Sequence, residues 1–265
     1  MTYDVRETPS LQIISRPSLD VDAFEKYLAG EGLAWARTPG ATEAEELVEL
    51  AGRLCYMSFG ERQSPRTNAQ YIWNLLQQGH ESVLEHVEWT FLLTGVSRSF
   101  SHQFARHRVG FALSQLSQQY TDQNDAPTVI PELVRASKTL TQIWERAIIE
   151  AKKAYEVIQR ELQASIPEPD DRVAKRERRR AIRSAARSVL PEATETRIVF
   201  TANARAIRHF LTLRGSIAGD LEMRLVSAEL LAIVEGEAPA LFADFEIVQL
   251  DGEPLVKRIH LDERE

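Results

Sequence analysis

Residues 103–120 have the sequence QFARHRVGFALSQLSQQY, which brings two arginines and a histidine close to a run of glutamines and serines. Guanidinium groups match the oxygens of a phosphate in a forked, two-bond geometry. Amide and hydroxyl groups can donate to and accept from the edges of a heterocycle. The stretch therefore predicts a surface that binds an anionic ligand with a polar ring.

The spacing around this stretch predicts a helix between Ser97, its N-cap, and Gly110, which ends it. Two phenylalanines one turn apart can face the core. We expect Gln103, Arg106 and His107 to project together from another face of the helix. A polar loop should follow and carry the glutamines and serines.

The composition suits one domain over residues 1–265, since 43% of the residues are hydrophobic and 27% are charged. The formal net charge of −7 argues against a protein that coats nucleic acid, so we expect no nucleic-acid partner. Cys55 is the single cysteine, which excludes an intrachain disulfide and fits a reducing, cytoplasmic compartment. No apolar run approaches the roughly 20 residues that span a bilayer, and the first residues do not resemble a signal peptide, so we expect no membrane association.

Periodicity and turn signals predict many helices and few strands. Further helices are expected over 20–29, 41–57, 65–78, 137–165, 171–189, 203–214 and 220–235, and strands over 86–94 and 194–202. This order lacks the regular alternation of a doubly wound sheet. We therefore predict an α+β fold, a single domain with a small, mostly antiparallel sheet flanked by many helices.

Two further blocks carry polar side chains suited to binding. Residues 186–191, ARSVLP, precede 201–214, TANARAIRHFLTLR, in which Asn203 can cap a helix that carries Arg205 and His209 one turn apart. On spacing alone, ordinary surface arginines explain this block equally well. Residues 79–86, GHESVLEH, hold two histidines six positions apart, which does not suit one zinc ion on a helix face, so no metal site is expected.

Together these blocks resemble the signature of the flavin-dependent thymidylate synthases. That family has Arg-His-Arg, seven intervening residues and then a serine; here eight residues, 109–116, lie between RHR at 106–108 and Ser117. The block from ARSVLP to Arg214 resembles the second conserved region of the family, and GHESVLEH resembles a third. The resemblance covers about residues 47–231 and implies a homotetramer with active sites at subunit interfaces.

Residue by residue, the resemblance implies two sets of ligand contacts. The residues expected to bind FAD are Cys55, His80, Ser82, Arg106, His107, Arg108, Gln115, Asn203, Arg205 and His209. Those expected to bind the nucleotide are Gln103, Arg106, Gln115, Ser117, Gln118, Gln119, Arg187 and Arg214. Arg214 is also the expected catalytic residue, because a guanidinium facing the uracil ring stabilises negative charge on it. Cys55 is expected to line the flavin site and not to act as a nucleophile.

The resemblance further implies FAD-dependent methylation of a uridylate at carbon 5, from dUMP to dTMP. Methylenetetrahydrofolate would supply the carbon, and reduced flavin would supply the hydride and be regenerated by NADPH.

Two departures from the family pattern concern the nucleotide side of the site. Gln119 stands where the family usually has an arginine, and the spacer before Ser117 is one residue longer. Because a loosened pocket discriminates poorly against an added hydroxyl, we expect UMP to be accepted as well as dUMP, as in relatives from nucleoside-antibiotic pathways. The alternative, which Gln119 supports, is a non-catalytic homologue that binds nucleotide or flavin.

The arginine-rich run 172–187 is typical of a solvated helix face or a subunit contact.

Overall fold

The computed structural model describes residues 4–6 and 8–259. Its helices are α1 (Val21–Gly30), α2 (Glu43–Leu54), α3 (Asn68–Gln77), α4 (Arg98–Phe104), α5 (Glu132–Arg135), α6 (Lys138–Ser165), α7 (Arg172–Ala186), α8 (Ala204–Arg214) and α9 (Leu221–Glu237). Its strands are β1 (Val5–Arg6), β2 (Ser10–Ser15), β3 (Glu88–Ser97), β4 (Phe111–Gln115), β5 (Thr128–Val129), β6 (Glu195–Asn203), β7 (Phe245–Leu250) and β8 (Glu253–Arg258).

The strands form three small sheets. One has four strands in the order β2-β3-β6-β4, β1 pairs with β5 in parallel, and β7 and β8 form an antiparallel hairpin in which Phe245 faces Arg258. The predicted α+β fold, with small sheets among many helices, is confirmed.

Contacts group the chain into two compact units, each assembled from three segments. Unit 1 contains 1–10, 93–106 and 114–199, and unit 2 contains 11–92, 107–113 and 200–265. Because the segments interleave, the division marks no single boundary along the chain, and the domain over residues 1–265 stays a prediction.

Each unit has its own buried aromatic residues. In unit 1, Phe100 and Phe104 stack with their ring centroids 5.3 Å apart, as the predicted core face of α4 requires. In unit 2, Phe91 stacks on Phe200 at 4.9 Å, and Trp89 lies 6.2 Å from Phe242. Such ring pairs bury large apolar surfaces and fix the elements that carry them.

Side-chain caps set the beginnings of the helices that matter for the site. Ser97 Oγ accepts the backbone N–H of Phe100 at 2.9 Å, and Asn203 Oδ1 accepts that of Ala206 at 2.9 Å. Both caps agree with the sequence, because a side-chain oxygen at this position satisfies a backbone donor that the helix leaves unpaired.

The predicted helix between Ser97 and Gly110 is wrong in its second half. Helix α4 ends at Phe104, and Arg106 N–H donates to the carbonyl of Gln103, three residues back, in a tight turn. Arg106 and His107 therefore do not share a helix face with Gln103. The expected polar loop is also corrected, because Phe111–Gln115 is strand β4.

Three other sequence expectations need correction. Residues 81–86 form a 3-10 helix, so the strand predicted from residue 86 begins at Glu88. The C-terminal hairpin β7–β8 and strand β2 were not expected. The helix predicted over 137–165 carries apolar residues at helical spacing, which would suit a core face, but they are only partly buried: Tyr155 is buried, whereas Leu140 and Ile143 are 47% and 59% exposed.

Candidate active site

The turn that follows Arg106 lies in unit 2 and is held against the beginning of α8. Gly110 has a φ of +72° and its carbonyl accepts the N–H of Asn203 at 3.2 Å. A Cβ at Gly110 would lie 2.7 Å from the Cβ of Ala206. Both the positive φ and the close approach require glycine here. The turn that follows RHR at 106–108 is thus packed directly on the beginning of the block 201–214.

His107 contacts Arg214 and Phe210 of α8. Arg214 Nε donates to His107 Nε2 at 3.0 Å, and the imidazole meets the Phe210 ring edge to face, with centroids 5.1 Å apart. Burial lowers the pKa of His107, and the positive charges of Arg214 and His209 act in the same direction. The ring is therefore neutral at neutral pH, which leaves Nε2 able to accept from Arg214.

The exposed side of α8 carries the other predicted flavin contacts of this block. Arg205 and His209 are one turn apart and exposed, whereas Asn203 is half-buried at the N-cap. Arg205 Nη1 lies 2.5 Å from Glu85 Oε1, and both side chains are about half exposed. Arg108 is likewise exposed. Such accessible cationic groups suit a diphosphate ligand.

The remaining predicted flavin residues of unit 2 lie around the ends of α2 and α3. His80 and Ser82 are exposed, and His80 follows Gly79, whose φ of +68° ends α3. Cys55 is the C-cap of α2 and exposed; its thiol donates to the carbonyl of Ala51 at 3.3 Å. The helix predicted over 41–57 therefore ends earlier, at Leu54, and Cys55 lies at its end and not within it.

In unit 1, Gln115 and Ser117 are fixed by local hydrogen bonds. Gln115 Nε2 donates to Ser101 Oγ at 2.8 Å and to Thr196 Oγ1 at 3.1 Å. Ser117 Oγ accepts the backbone N–H of Gln119 at 3.3 Å. These contacts orient the polar side chains at the end of β4 and just after it. Gln103, another residue expected to bind the nucleotide, lies on α4 and is half-buried.

Gln119 is held by side chains of α7. Its Nε2 donates to Ser184 Oγ at 3.3 Å, and its Oε1 accepts from Arg180 Nε at 3.2 Å. An arginine from α7 therefore reaches the position where the family pattern places its own arginine. Arg183 Nη1 also donates to the carbonyl of Tyr120 at 2.6 Å. The run 172–187 is thus not only a solvated face, because several of its arginines bind neighbouring parts of unit 1.

Gln118 and Arg187 line one cavity of about 440 Å³ within unit 1. Arg98, His102 and Glu192 line the same cavity and were not identified from the sequence. Burial lowers the pKa of Arg98; Glu192 opposes this shift and Arg187 adds to it. The available signal was the position of Arg98 directly after the N-cap Ser97, at the beginning of the signature helix.

The structure therefore brings the predicted residues together in two sets. His107 and Arg214 meet in unit 2, and Gln118 and Arg187 share the cavity of unit 1. Arg106 is exposed at the end of its segment of unit 1. The convergence of Arg106, Arg187 and Arg214 on one nucleotide stays a prediction.

The donor set suits a flavin dinucleotide and offers little to a metal. Guanidinium and imidazole groups at Arg108, Arg205 and His209 can donate to a diphosphate, and the chain has no glycine-rich phosphate loop to replace them. Over residues 4–6 and 8–259, no group of three or more histidine, cysteine, aspartate or glutamate side chains could hold a metal ion. None of the helices in these ranges has the length and apolar character needed to cross a membrane.

Comparison with known proteins identifies the relatives of this chain. Residues 39–240 match the family model described as thymidylate synthase complementing protein. The flavin-dependent thymidylate synthase of Corynebacterium aurimucosum is 38% identical over 239 residues, which cover 89% of this chain and 94% of that protein. The enzyme of the same name from Mycobacterium sp. strain JLS is 44% identical over 218 residues, 80% of this chain and 85% of its own.

A solved structure supports the fold. The crystal structure of the UMP/dUMP methylase PolB from Streptomyces cacaoi, bound with 5-Br UMP, matches with a TM-score of 0.63 and 18% identity. The match covers 91% of this chain and 95% of PolB. At this identity the likeness concerns the architecture of the chain.

Proposed function

The chain belongs to the flavin-dependent thymidylate synthase family, and on that premise we propose that it is a methyltransferase that methylates uridylate at carbon 5 with FAD as its cofactor. The observation that supports this most directly is the hydrogen bond between Arg214 and His107. It joins Arg214, the last residue of the block 201–214, to His107, the middle residue of RHR at 106–108.

In the proposed reaction, the hydrogen at carbon 5 of the uracil ring is replaced by a methyl group. Methylenetetrahydrofolate gives the carbon and leaves as tetrahydrofolate, and the proton from carbon 5 is released. When bound, FAD in its reduced form would supply the hydride that completes the methyl group, and NADPH would restore the reduced flavin.

Arg214 has the central role among the residues of the chain. The neutral His107 accepts from Arg214 Nε and thereby fixes the plane of the guanidinium, which we infer to face the uracil ring. A guanidinium there stabilises negative charge on the ring oxygens and makes carbon 5 a better nucleophile. No cysteine adduct is needed, which agrees with the position of Cys55 at a helix end.

Arg214 is also expected to bind the nucleotide, together with the following residues. Arg187 and Gln118 in their shared cavity suit a phosphate, and Gln103, Arg106, Gln115, Ser117 and Gln119 would complete the contacts. We infer that FAD contacts Cys55, His80, Ser82, Arg106, His107, Arg108, Gln115, Asn203, Arg205 and His209, and that four chains assemble with their sites at the interfaces.

The proposal is tested by incubating the purified protein with FAD, NADPH, methylenetetrahydrofolate and dUMP under anaerobic conditions. Mass spectrometry of the nucleotide should show a gain of one methyl group that depends on each component. A protein that binds FAD and dUMP but forms no methylated nucleotide would instead support the non-catalytic homologue.

A parallel assay with UMP tests the breadth of the nucleotide site. Because Gln119 is neutral and hydrogen-bonded to Ser184 and Arg180, we expect UMP to be methylated as well. A preference for dUMP above about a thousandfold would contradict this expectation, since a pocket that is not built to exclude an added hydroxyl rejects it by only about a hundredfold.

A further inference from the structure

A second cavity, of about 250 Å³, lies within unit 2 between the end of α2 and the end of α3. Its lining includes Arg53, Arg62, Ser64, Arg66 and His80, and we call it the Arg53 cavity. Three of its lining residues are arginines, and no aspartate or glutamate lines it. A concave site with this charge favours an anion.

Arg53 is buried with an incomplete set of partners. Only 1% of its side chain is exposed; its Nε donates to Glu49 Oε1 at 2.6 Å, and its guanidinium lies 4.4 Å from the centre of the Tyr71 ring. Its Nη2 atom is buried and has no hydrogen-bond partner in the described protein, and the same holds for Ser64 Oγ. Two buried polar groups lining one cavity without partners indicate that a further group belongs there.

Charge balance indicates what that group is. Glu49 offsets the charge of Arg53, and Asn68 Nδ2 donates to the second oxygen of this carboxylate at 2.7 Å. Arg62 and Arg66 are exposed, and the ion pairs found over residues 4–6 and 8–259 include neither of them. Two uncompensated guanidinium groups match the charge of a phosphate monoester, which is close to −2 at neutral pH.

We propose that the Arg53 cavity binds a phosphate monoester. Two co-substrates of the proposed reaction carry this group: NADPH on its 2′ oxygen, and the uridylate on its 5′ oxygen. The choice between them rests on the proposed function. Arg187 and Gln118 already provide for the nucleotide, and His80 is expected beside the flavin that the reductant must approach. The 2′-phosphate of NADPH is therefore the expected occupant.

Calorimetric titration of the full-length protein tests this without turnover. NADP⁺ and NAD⁺ differ only in the 2′-phosphate, and dUMP and deoxyuridine differ only in the 5′-phosphate. The affinity ratio of each pair is compared between wild type, the double variant R62Q/R66Q and the double variant R146Q/R160Q. R146Q/R160Q is the control, because it removes the same amount of charge from exposed positions on α6, outside the cavity.

We expect R62Q/R66Q to lower the NADP⁺ to NAD⁺ ratio by about tenfold to a hundredfold, since each charged hydrogen bond to a phosphate contributes strongly to binding. R146Q/R160Q should keep the wild-type ratio. A loss confined to the dUMP to deoxyuridine ratio would support the phosphate site with the nucleotide as its source. Unchanged ratios for both pairs in R62Q/R66Q would overturn the proposal.

Two readouts separate this proposal from the proposed function. If R62Q/R66Q loses a phosphate preference while the wild type methylates no nucleotide, the site stands and the function fails. If the wild type methylates dUMP and the ratios do not respond, the function stands and the site fails. Thermal unfolding of both double variants checks that exposed substitutions leave the fold intact.

Discussion

At the scale of single residues, the hydrogen bond from Arg214 to His107 links the two blocks that carry the family signature. The sequence indicated both residues as ligand contacts, but not that they bind each other. Residue spacing describes neighbours along a helix, whereas these two lie 107 positions apart. For the same reason the contacts of Gln119 with α7 could not be predicted, although its departure from the family pattern could be seen.

Replacing Arg214 with glutamine should lower kcat by about a hundredfold to a thousandfold, as expected when a group that stabilises developing charge is lost. The measurement is the rate of nucleotide methylation at saturating substrates. The substitution R16Q is the control, because Arg16 forms an exposed ion pair with Glu237 on the surface. Equal rates for R214Q and R16Q would show that Arg214 has no catalytic role.

The lowered pKa of His107 predicts a dependence of stability on pH. The folded protein binds the proton less readily than the unfolded chain, whose histidine has a pKa near 6.5. This contribution to stability is therefore complete above about pH 6.5 and is lost as the pH falls through the lower, folded value. Urea unfolding between pH 8 and pH 5 should show a steeper loss for the wild type than for H107Q. Parallel curves for the two proteins would contradict the assignment.

At the scale of elements, local signals predicted the beginnings of helices better than their ends. Ser97 and Asn203 act as the caps that their side chains suggest. Helix α4, in contrast, ends directly after the buried Phe104. The turn that follows is held by the hydrogen bond from Asn203 N–H to the carbonyl of Gly110 and by the close approach of Gly110 to Ala206. Tertiary contacts of this kind override a continuous helical pattern.

The hairpin β7–β8 is anchored by a buried ion-pair network that the sequence did not reveal. Arg208 of α8 binds both oxygens of Asp244, at 2.5 Å and 2.8 Å, and Arg258 of β8 donates to the same carboxylate at 2.8 Å. Burial by itself raises the pKa of Asp244, but the hydrogen bonds and charges of Arg208 and Arg258 outweigh it and hold that pKa below its usual range.

Replacing Asp244 with asparagine should lower the free energy of unfolding by about 3–5 kcal/mol, because Arg208 would remain buried without a full counter-charge. Denaturant unfolding at neutral pH measures the change. In the control variant E246Q, which alters an exposed pair with Lys257, the change should stay within about 0.5 kcal/mol. A small effect of D244N would mean that the network does not hold the hairpin.

At the scale of the whole molecule, the signature predicted the family and the order of periodic segments predicted the α+β architecture, but periodicity could not show what the apolar side chains of α6 pack against. On α6, Leu140 and Ile143 have the spacing of a core face, but both are exposed in the single chain. Leu133 on α5 is exposed as well. Apolar side chains that a single chain leaves exposed in one region are typical of subunit interfaces. They support the proposed tetramer.

The double substitution L140E/I143E should reduce the particle from four chains of 30.0 kDa to smaller species. Two charges in an apolar interface lose hydration without gaining a partner, which opposes association. Light scattering after size-exclusion chromatography gives the mass. Q142E, a neighbouring exposed position, should keep the wild-type mass. A tetramer that survives L140E/I143E would place the interface elsewhere.

Cys55, at the end of α2, is the one thiol of the chain and is exposed there. A maleimide dye should therefore attach at a single position without any engineered mutation. Since this residue is expected to line the flavin site, saturation with FAD should slow the labelling reaction. The native protein would then carry its own reporter of cofactor occupancy.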